Sequence, residues 1–421
     1  MLDDAQEGAA EGFENRRTRR RGVTALLVVC RVLVGVVSVT ALTAMTLVWL
    51  QVVQLEESTN TTDAVARAQE IGPSAPPPPP PDDGANDILV IGSDSRTDMQ
   101  GNELSPELLR ILRTEATETL NTDTLILLRI PRDGGRSSAV SIPRDTSVMV
   151  HALGSEEKIN GAFGLVKART EQELRDGGET DDALIERESD DAGRAALIQA
   201  VQGLTGVRVD HYTEVSLYGF YLLTEVIDGV DVCLRQSTSD PDSGASFAAG
   251  PQTVRGGDAV AFVRQRKNLP RGDLDRIVRQ QTFLASAMNK VLSGDLLTNP
   301  GRLDELEEAV AKTVVMDEGL GFLELVQQAQ ALASGNVRFD TIPVTGVGAR
   351  NDRGQSIITV DVPAVREYVA DLVTGTPPAP APPAVSTPES TPESTPAGFA
   401  RGGMLDLSAP AAVKRQVPCV Y

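Results

Sequence analysis

The amino-acid sequence predicts an α/β fold with α-β-α layering: a mixed central β-sheet with helices on both faces, behind one N-terminal transmembrane helix. Three observations carry this. Short runs rich in Ile, Leu and Val at 87–92, 124–130 and 139–142 have the length and composition of buried strands. Longer segments with a helical apolar period, at 104–120, 190–204 and 274–292, alternate with them, and strands interleaved with helices imply a sheet covered on both sides. An uncharged apolar stretch at 32–53 is long enough to cross a hydrocarbon core, which takes about 20 residues.

Taken in order, residues 1–31 form a basic tail. Arg16, Arg17, Arg19, Arg20 and Arg21 favour a cytoplasmic N-terminus, and Arg31 can snorkel at the edge of the span. Residues 32–53 read as an uncleaved anchor with Trp49 near its far interface; a cleaved signal peptide is the alternative. Residues 54–84 read as a linker, polar and then Pro-rich, unbroken proline from Pro76 to Pro81, which is stiff and extended. Residues 85–374 are expected to form one folded domain. Further strands are expected at 212–215, 259–263 and 337–343, and further helices at 219–227 and 303–334. Residues 375–400 are Pro/Ser/Thr-rich and read as a disordered tail. Residues 401–421 regain apolar character and are able to dock back.

Charge and composition narrow the function. Lys plus Arg number 39 against 59 Asp plus Glu, a formal charge of −20, so no nucleic-acid partner is expected. Only two His are present, too few to favour a His-based triad or an imidazole-rich zinc site. Of the three Cys, Cys30 lies in an apolar stretch at the edge of the span, just before Arg31. Cys233 and Cys419 fall beyond it, on the oxidising side, where one disulfide or two free thiols are both open.

Five short segments then carry Arg, Asp or both: Ile91-Gly-Ser-Asp-Ser-Arg96, Asn121-Thr-Asp-Thr124, Ser141-Ile-Pro-Arg-Asp145, Phe262-Val-Arg-Gln-Arg266 and Arg276-Ile-Val-Arg-Gln-Gln281. Arginine grips phosphate oxygens with a planar fork, and Asp offers hard oxygen ligands to Mg²⁺. Asp94 and Arg96 follow the first strand, where sites of open sheets gather. If the next strand is antiparallel, Asp123 meets Asp94 at the same end; turn and cap roles for both stay open. Arg144 stands at another strand end. If the strand at 259–263 continues, Arg264 and Arg266 share one face at i and i+2, which favours an anion between them. Arg276 and Gln280 are neighbours at i and i+4 on a helix. Lys158 adds a charge, or is a surface lysine. The Gly-Ser-Asp-Ser stretch lacks the Gly-Lys-Ser/Thr end of a P-loop.

In this combination and order, the IGSDSR, TDT, SIPRD, KIN, RQR and RxxRQ elements resemble the LytR–CpsA–Psr family of cell-wall glycopolymer transferases, over about residues 87–290. An Arg-over-Lys, Ala-rich composition suggests an actinobacterial member. The resemblance implies a phosphotransferase that moves a glycopolymer from a polyprenyl-pyrophosphate carrier to a peptidoglycan acceptor through a phosphodiester. It implies Mg²⁺ (or Mn²⁺) on Asp94 and Asp123, catalytic roles for Asp94, Arg144, Arg264 and Arg266, and pyrophosphate binding by Arg96, Lys158, Arg276 and Gln280. It implies a single-pass membrane protein with its catalytic domain outside the cytoplasm. A polyprenyl-pyrophosphate phosphatase using the same residues and a non-enzymatic cell-wall regulator are the competing readings. The chain departs from the family pattern at Asn121, where an Arg is frequent, at an insertion over 97–120, at Asp228 in place of a turn glycine, and at Pro251.

Overall fold

Seven strands build the central sheet: β1 Asn60–Thr62, β2 Ala85–Ser93, β3 Thr122–Pro131, β4 Ser137–Ser141, β5 His211–Ser216, β6 Val314–Asp317 and β7 Val337–Thr341. The computed structural model describes residues 60–70, 77–81, 83–94, 97–98, 103–112, 122–293, 300–320, 337–374 and 417–421. The spatial order is β1-β6-β5-β2-β3-β4-β7. The pairs β2–β3, β3–β4 and β5–β6 are antiparallel, whereas β2–β5, β1–β6 and β4–β7 are parallel. The expected mixed sheet is therefore present. The expected anchor at 32–53 lies outside the described residues, among which no helix is long and apolar enough to cross a membrane.

The helices are α1 Ala64–Gln69, α2 Pro106–Leu112, α3 Ala162–Asp176, α4 Asp182–Thr205, α5 Leu217–Val226, α6 Gly256–Arg264, α7 Asp273–Ser293, α8 Pro300–Thr313 and α9 Val362–Thr374. Alternation along β2 and β3 divides them between two faces, since successive strand residues point to opposite sides. Leu89, Ile91, Leu125 and Leu127 pack with Phe163 of α3, Leu197 of α4 and Val369 of α9. Ile88, Ile126 and Leu128 face the other way, with Val310 of α8, and Leu223 of α5 and Leu284 of α7 partly buried against them.

Two local features fix α4 against this sheet. Asp181 caps its N-terminus by accepting from the N–H groups of Ala183 and Leu184, and Gly206 ends it in the left-handed region at φ 72°. Gly193 lets α3 approach closely: a Cβ there would stand 2.2 Å from the Phe163 ring.

A second core lies beside the sheet. Phe262 of α6 stacks at 6.2 Å from Phe283 of α7 and edge-on at 5.8 Å from Phe247. A side sheet covers it, with Val230–Leu234 between Gly250–Val254 and Cys419–Val420. The structure joins Cys233 to Cys419 in a disulfide across 186 residues, and Val420 is buried in this core. The docked end of the expected 401–421 segment is thus part of the side sheet.

Four expectations are corrected. The run at 259–263 is not a strand but the body of α6. Ala259 to Val263 are all buried, and a short continuous apolar run looks the same in a fully buried helix and a buried strand. The helix expected over 303–334 stops at Thr313, because Val314–Asp317 is taken into the sheet between β1 and β5. The helix expected over 104–120 is described only as α2, with 113–120 outside the described residues. The linker expected over 54–84 contains β1 and α1, which fold with the domain: Ala64 is fully buried and β1 pairs with β6.

Candidate functional site

The parallel and antiparallel pairings bring four chain segments to one edge of the sheet. β2 and β4 end there, β5 ends there in the N-cap of α5, and β3 begins there. Gly92 pairs with Thr124 and Ser93 with Thr122, so the register shifts by one and Asp123 is the extra residue of a bulge. The backbone of Asp123 therefore stands across from the end of β2, beside Asp94; its side chain, like all of Arg96, lies outside the described residues.

Asp94 is 9% exposed, and its Oδ2 stands 3.4 Å from Nη2 of Arg264. Arg264 is the last residue of α6, and its Nη1 donates to the Leu112 carbonyl at 2.5 Å. Since 259–263 is helical, the expected i, i+2 strand face for Arg264 and Arg266 does not exist. The pair is set instead by the helix end. Gln265 leaves the helix in an extended conformation and is 0% exposed, flanked along the chain by Arg264 and Arg266. Arg266 Nη2 is buried without a hydrogen-bond partner among the described residues.

A second group lies further along the edge. Lys158 Nζ binds Asp145 Oδ1 at 2.9 Å, and Arg144 Nε stands 3.7 Å from Asp145 Oδ2. Two hydrogen bonds hold this group against β3. Asn160 donates its N–H to the Arg144 carbonyl at 3.1 Å, and the Thr122 hydroxyl donates to the Asn160 carbonyl at 3.4 Å. Lys158 is thus neither a free surface lysine nor shown on a phosphate; it orders the Arg144 loop through Asp145.

The start of α7 approaches from above. Arg276 is 2% exposed. Gln280 donates to the Val263 carbonyl at 3.2 Å, and Gln281 donates to Ser141 Oγ at 3.0 Å at the end of β4. Asp275 reaches back to accept from the Arg271 N–H at 2.8 Å, closing the turn that starts the helix.

Several groups are excluded as site bases by their surroundings. Glu214 on β5 is buried, which alone would raise its pKa, but Arg194 at 2.9 Å and the Tyr212 hydroxyl at 3.0 Å hold it below the usual range. It is a committed structural anion. His211 pairs with Asp317 at the opposite end of β5. His151 lines a separate cleft of about 350 Å³ beside Pro77, Pro80 and the end of α4, which none of the motif residues enters.

No cluster of three or more His, Cys, Asp or Glu able to hold a metal occurs among the described residues. The donor chemistry still suits Mg²⁺, which commonly takes one or two carboxylates and fills its remaining positions with water and substrate phosphates. Asp94, buried and one bulge away from Asp123, matches that pattern. Residues that motif reasoning missed are Gln265, Arg279 and Asp240. Gln265 and Arg279 lay inside motifs already singled out, but their inward direction depends on α6 being a helix.

The LytR_cpsA_psr family model matches residues 48–372. "Cell wall biosynthesis protein LcpA" of Corynebacterium glutamicum is 50% identical over 298 residues, 71% of this chain and 57% of that protein. The chain therefore aligns with little more than half the length of that relative. The "polyisoprenyl-teichoic acid–peptidoglycan teichoic acid transferase TagU" of Halalkalibacterium halodurans is 26% identical over 265 residues, 62% of this chain and 70% of that protein. Among solved structures, protein gbs0355 of Streptococcus agalactiae matches with a TM-score of 0.50 at 17% identity, covering 75% of this chain and 91% of that one. At that identity the match bears on the fold alone.

Proposed function

Because the chain belongs to the LytR_cpsA_psr family, we propose that it is a membrane-anchored phosphotransferase. It moves a secondary cell-wall glycopolymer from a polyprenyl-pyrophosphate carrier to peptidoglycan. The names of the relatives LcpA and TagU, a cell-wall biosynthesis protein and a teichoic acid transferase, support this class of reaction. The observation that carries it here is the approach of Arg264 to buried Asp94 at the sheet edge, with the buried, unsatisfied Nη2 of Arg266 two residues further along the chain. A guanidinium held against a buried carboxylate suits a pyrophosphate and a hydroxyl acceptor.

In this reading Arg264, Arg266, Arg144 and Arg276 bind the pyrophosphate oxygens, with Gln280 and Arg96 at the margin. An acceptor hydroxyl oxygen bonds to the sugar-linked phosphorus while its bond to the bridging oxygen breaks, and prenyl phosphate leaves with the electron pair. Asp94 takes the hydroxyl proton. Asp94 and Asp123 would hold Mg²⁺ or Mn²⁺, which supplies charge neutralisation on the phosphates. Phosphoryl transfer depends mainly on positioning and charge stabilisation, which arginines at fixed places provide.

The prenyl tail would lie on the sheet face under α5 and α7. There Val90, Val215, Leu223, Leu284 and Met288 are apolar but only partly buried. The domain would stand outside the cytoplasm, tethered by 32–53. Hydrolysis at the same site is the second reading, since water differs from the acceptor only in the group it carries.

The test uses the full chain in detergent with a prenyl-pyrophosphate-linked glycan, Mg²⁺ and peptidoglycan fragments, alongside an Arg264→Ala, Arg266→Ala variant. Glycan joined to the fragments by the unaltered protein alone establishes transfer at this site. Release of prenyl phosphate without joining identifies a phosphatase. Retention of the intact lipid without turnover identifies a binding or regulatory protein.

A further inference from the structure

Arg279 does not face the sheet edge. It is 0% exposed, lies 5.0 Å from the centroid of the Phe262 ring, and has no Asp or Glu carboxylate within ion-pair distance among the described residues. Burial holds its pKa down to about 10. A buried guanidinium with no side-chain carboxylate beside it is costly, so what it holds there needs an explanation.

Its hydrogen bonds run in two directions. Nη1 donates to Gln265 Oε1 at 2.8 Å, and Nε donates to the main-chain oxygen of Tyr421. Gln265 is the middle residue of the Arg-Gln-Arg segment. Its amide is used on both sides: Oε1 accepts from Arg279 while Nε2 donates to the Thr238 hydroxyl and, at 2.9 Å, to the Lys267 carbonyl. Asp240, 2% exposed, takes the backbone N–H groups of Arg266 and Lys267 on one oxygen at 3.1 and 3.2 Å. The turn out of α6 is therefore held by side chains whose partners lie far away in sequence.

Tyr421 is itself fixed. Arg235 stacks on its ring at 4.8 Å and donates to the Cys419 carbonyl at 2.9 Å, and Cys419 is bonded to Cys233. The path from the disulfide to the arginine pair is continuous: Cys419, Tyr421, Arg279, Gln265, then Arg264 and Arg266 on either side.

We propose that Arg279 is a positioning residue for pyrophosphate binding: braced by the main chain of Tyr421, it holds Gln265 inward so that Arg264 and Arg266 are presented together at the sheet edge. This rests on the reading of that pair as the phosphate-binding arginines. Fixing two long cations in advance matters because each otherwise loses rotamer freedom on binding, and small misplacements weaken a charged site strongly. Arg279 acts without touching the phosphate. Gln265 without Arg279 keeps its two amide donations but loses its acceptor contact, so the helix end can rotate.

The test is a double-mutant cycle on the full chain in detergent, with geranyl pyrophosphate and Mg²⁺ as the probe and calorimetry as the readout. Arg279→Gln is combined with Arg266→Ala, and Gln265→Ala serves as a second route into the same brace. Thermal midpoints are measured for every variant. The expected result is about a tenfold loss of affinity for Arg279→Gln alone and less than about a twofold further loss when Arg266→Ala is already present. Gln265→Ala follows the same pattern. A merely structural role shifts the thermal midpoint but costs affinity equally in both backgrounds, which overturns the proposal, as does unchanged affinity in both single variants. If Arg266→Ala itself binds the probe like the unaltered protein, the reading of the arginine pair fails instead. If Arg279→Gln does not fold, the Gln265→Ala cycle decides.

Discussion

Arg264 Nη2 stands 3.4 Å from Asp94 Oδ2, bringing together two residues 170 apart in sequence at one end of the sheet. One comes from the end of a strand and the other from the end of a helix. Each is incomplete as a phosphate site without the other: the carboxylate alone repels the anion, and the guanidinium alone does not orient an acceptor.

Arg264→Ala should weaken binding of geranyl pyrophosphate. Hydrogen bonds to charged groups contribute about 1.5–3 kcal/mol, roughly 10- to 100-fold in Kd. Asp94→Asn separates two roles. If Asp94 is chiefly a proton acceptor, titration with Mn²⁺ shows unchanged metal affinity and transfer is abolished. If it is chiefly a ligand, metal affinity falls with activity.

The buried pair Arg194 and Glu214 makes stability fall in acid. Glu214 has its pKa held below the ordinary glutamate value of 4.5, so near pH 4 the folded state binds fewer protons than the unfolded state. Stability from this group is fully present above about pH 4.5 and is lost as pH falls through the lowered folded value. Urea unfolding between pH 3 and pH 7 should show that slope, and Glu214→Gln should flatten it. Arg194→Met leaves the carboxylate buried and alone, and should cost about 3–5 kcal/mol at pH 7.

Gly193→Ala tests the close packing of α3 on α4. Helix propensity alone favours Ala over Gly by about 1 kcal/mol. The new Cβ would stand 2.2 Å from the Phe163 ring and 2.8 Å from its carbonyl oxygen. Backbone cannot yield as a flexible side chain can, so overpacking wins and the variant should lose about 1–3 kcal/mol. A lower thermal midpoint is the expected outcome; a rise would show that the helices separate freely.

Breaking the Cys233–Cys419 disulfide should free the last strand of the side sheet. A crosslink over a long loop typically contributes about 2–4 kcal/mol. A Cys233→Ser, Cys419→Ser variant should unfold at lower denaturant and become cleavable by protease near residues 417–421. An unchanged denaturation midpoint would mean that Val420 packing and Arg235 hold the segment unaided.

Much of the fold is legible because burial writes itself into sequence. The runs at 87–92 and 124–130 become β2 and β3, and their alternation assigns each side chain to a face. The capped and glycine-terminated α4 and the apolar period of α7 are local signals of the same kind. Where local signals are ambiguous, the reading failed. The residues at 259–263 are apolar on every side because they sit between the side sheet and α7, and a fully buried element loses the contrast that reveals its period. Likewise, nothing local tells Val314–Asp317 from the helix before it; its pairing with residues near 60 and 214 does.

By itself, the sequence determined the residue types of the site, their order along the chain, the mixed α/β class and the family, since these depend on composition, spacing and short-range periodicity. Only the tertiary structure decided which of those residues meet. It placed Asp94 against Arg264, gave Lys158 to Asp145, turned Gln265 inward onto Arg279 and brought Tyr421 onto Arg279. The physical reason is the same in each case. A contact between segments more than a hundred residues apart depends on strand order and helix placement, which arise from the burial of the whole core rather than from any one stretch of chain.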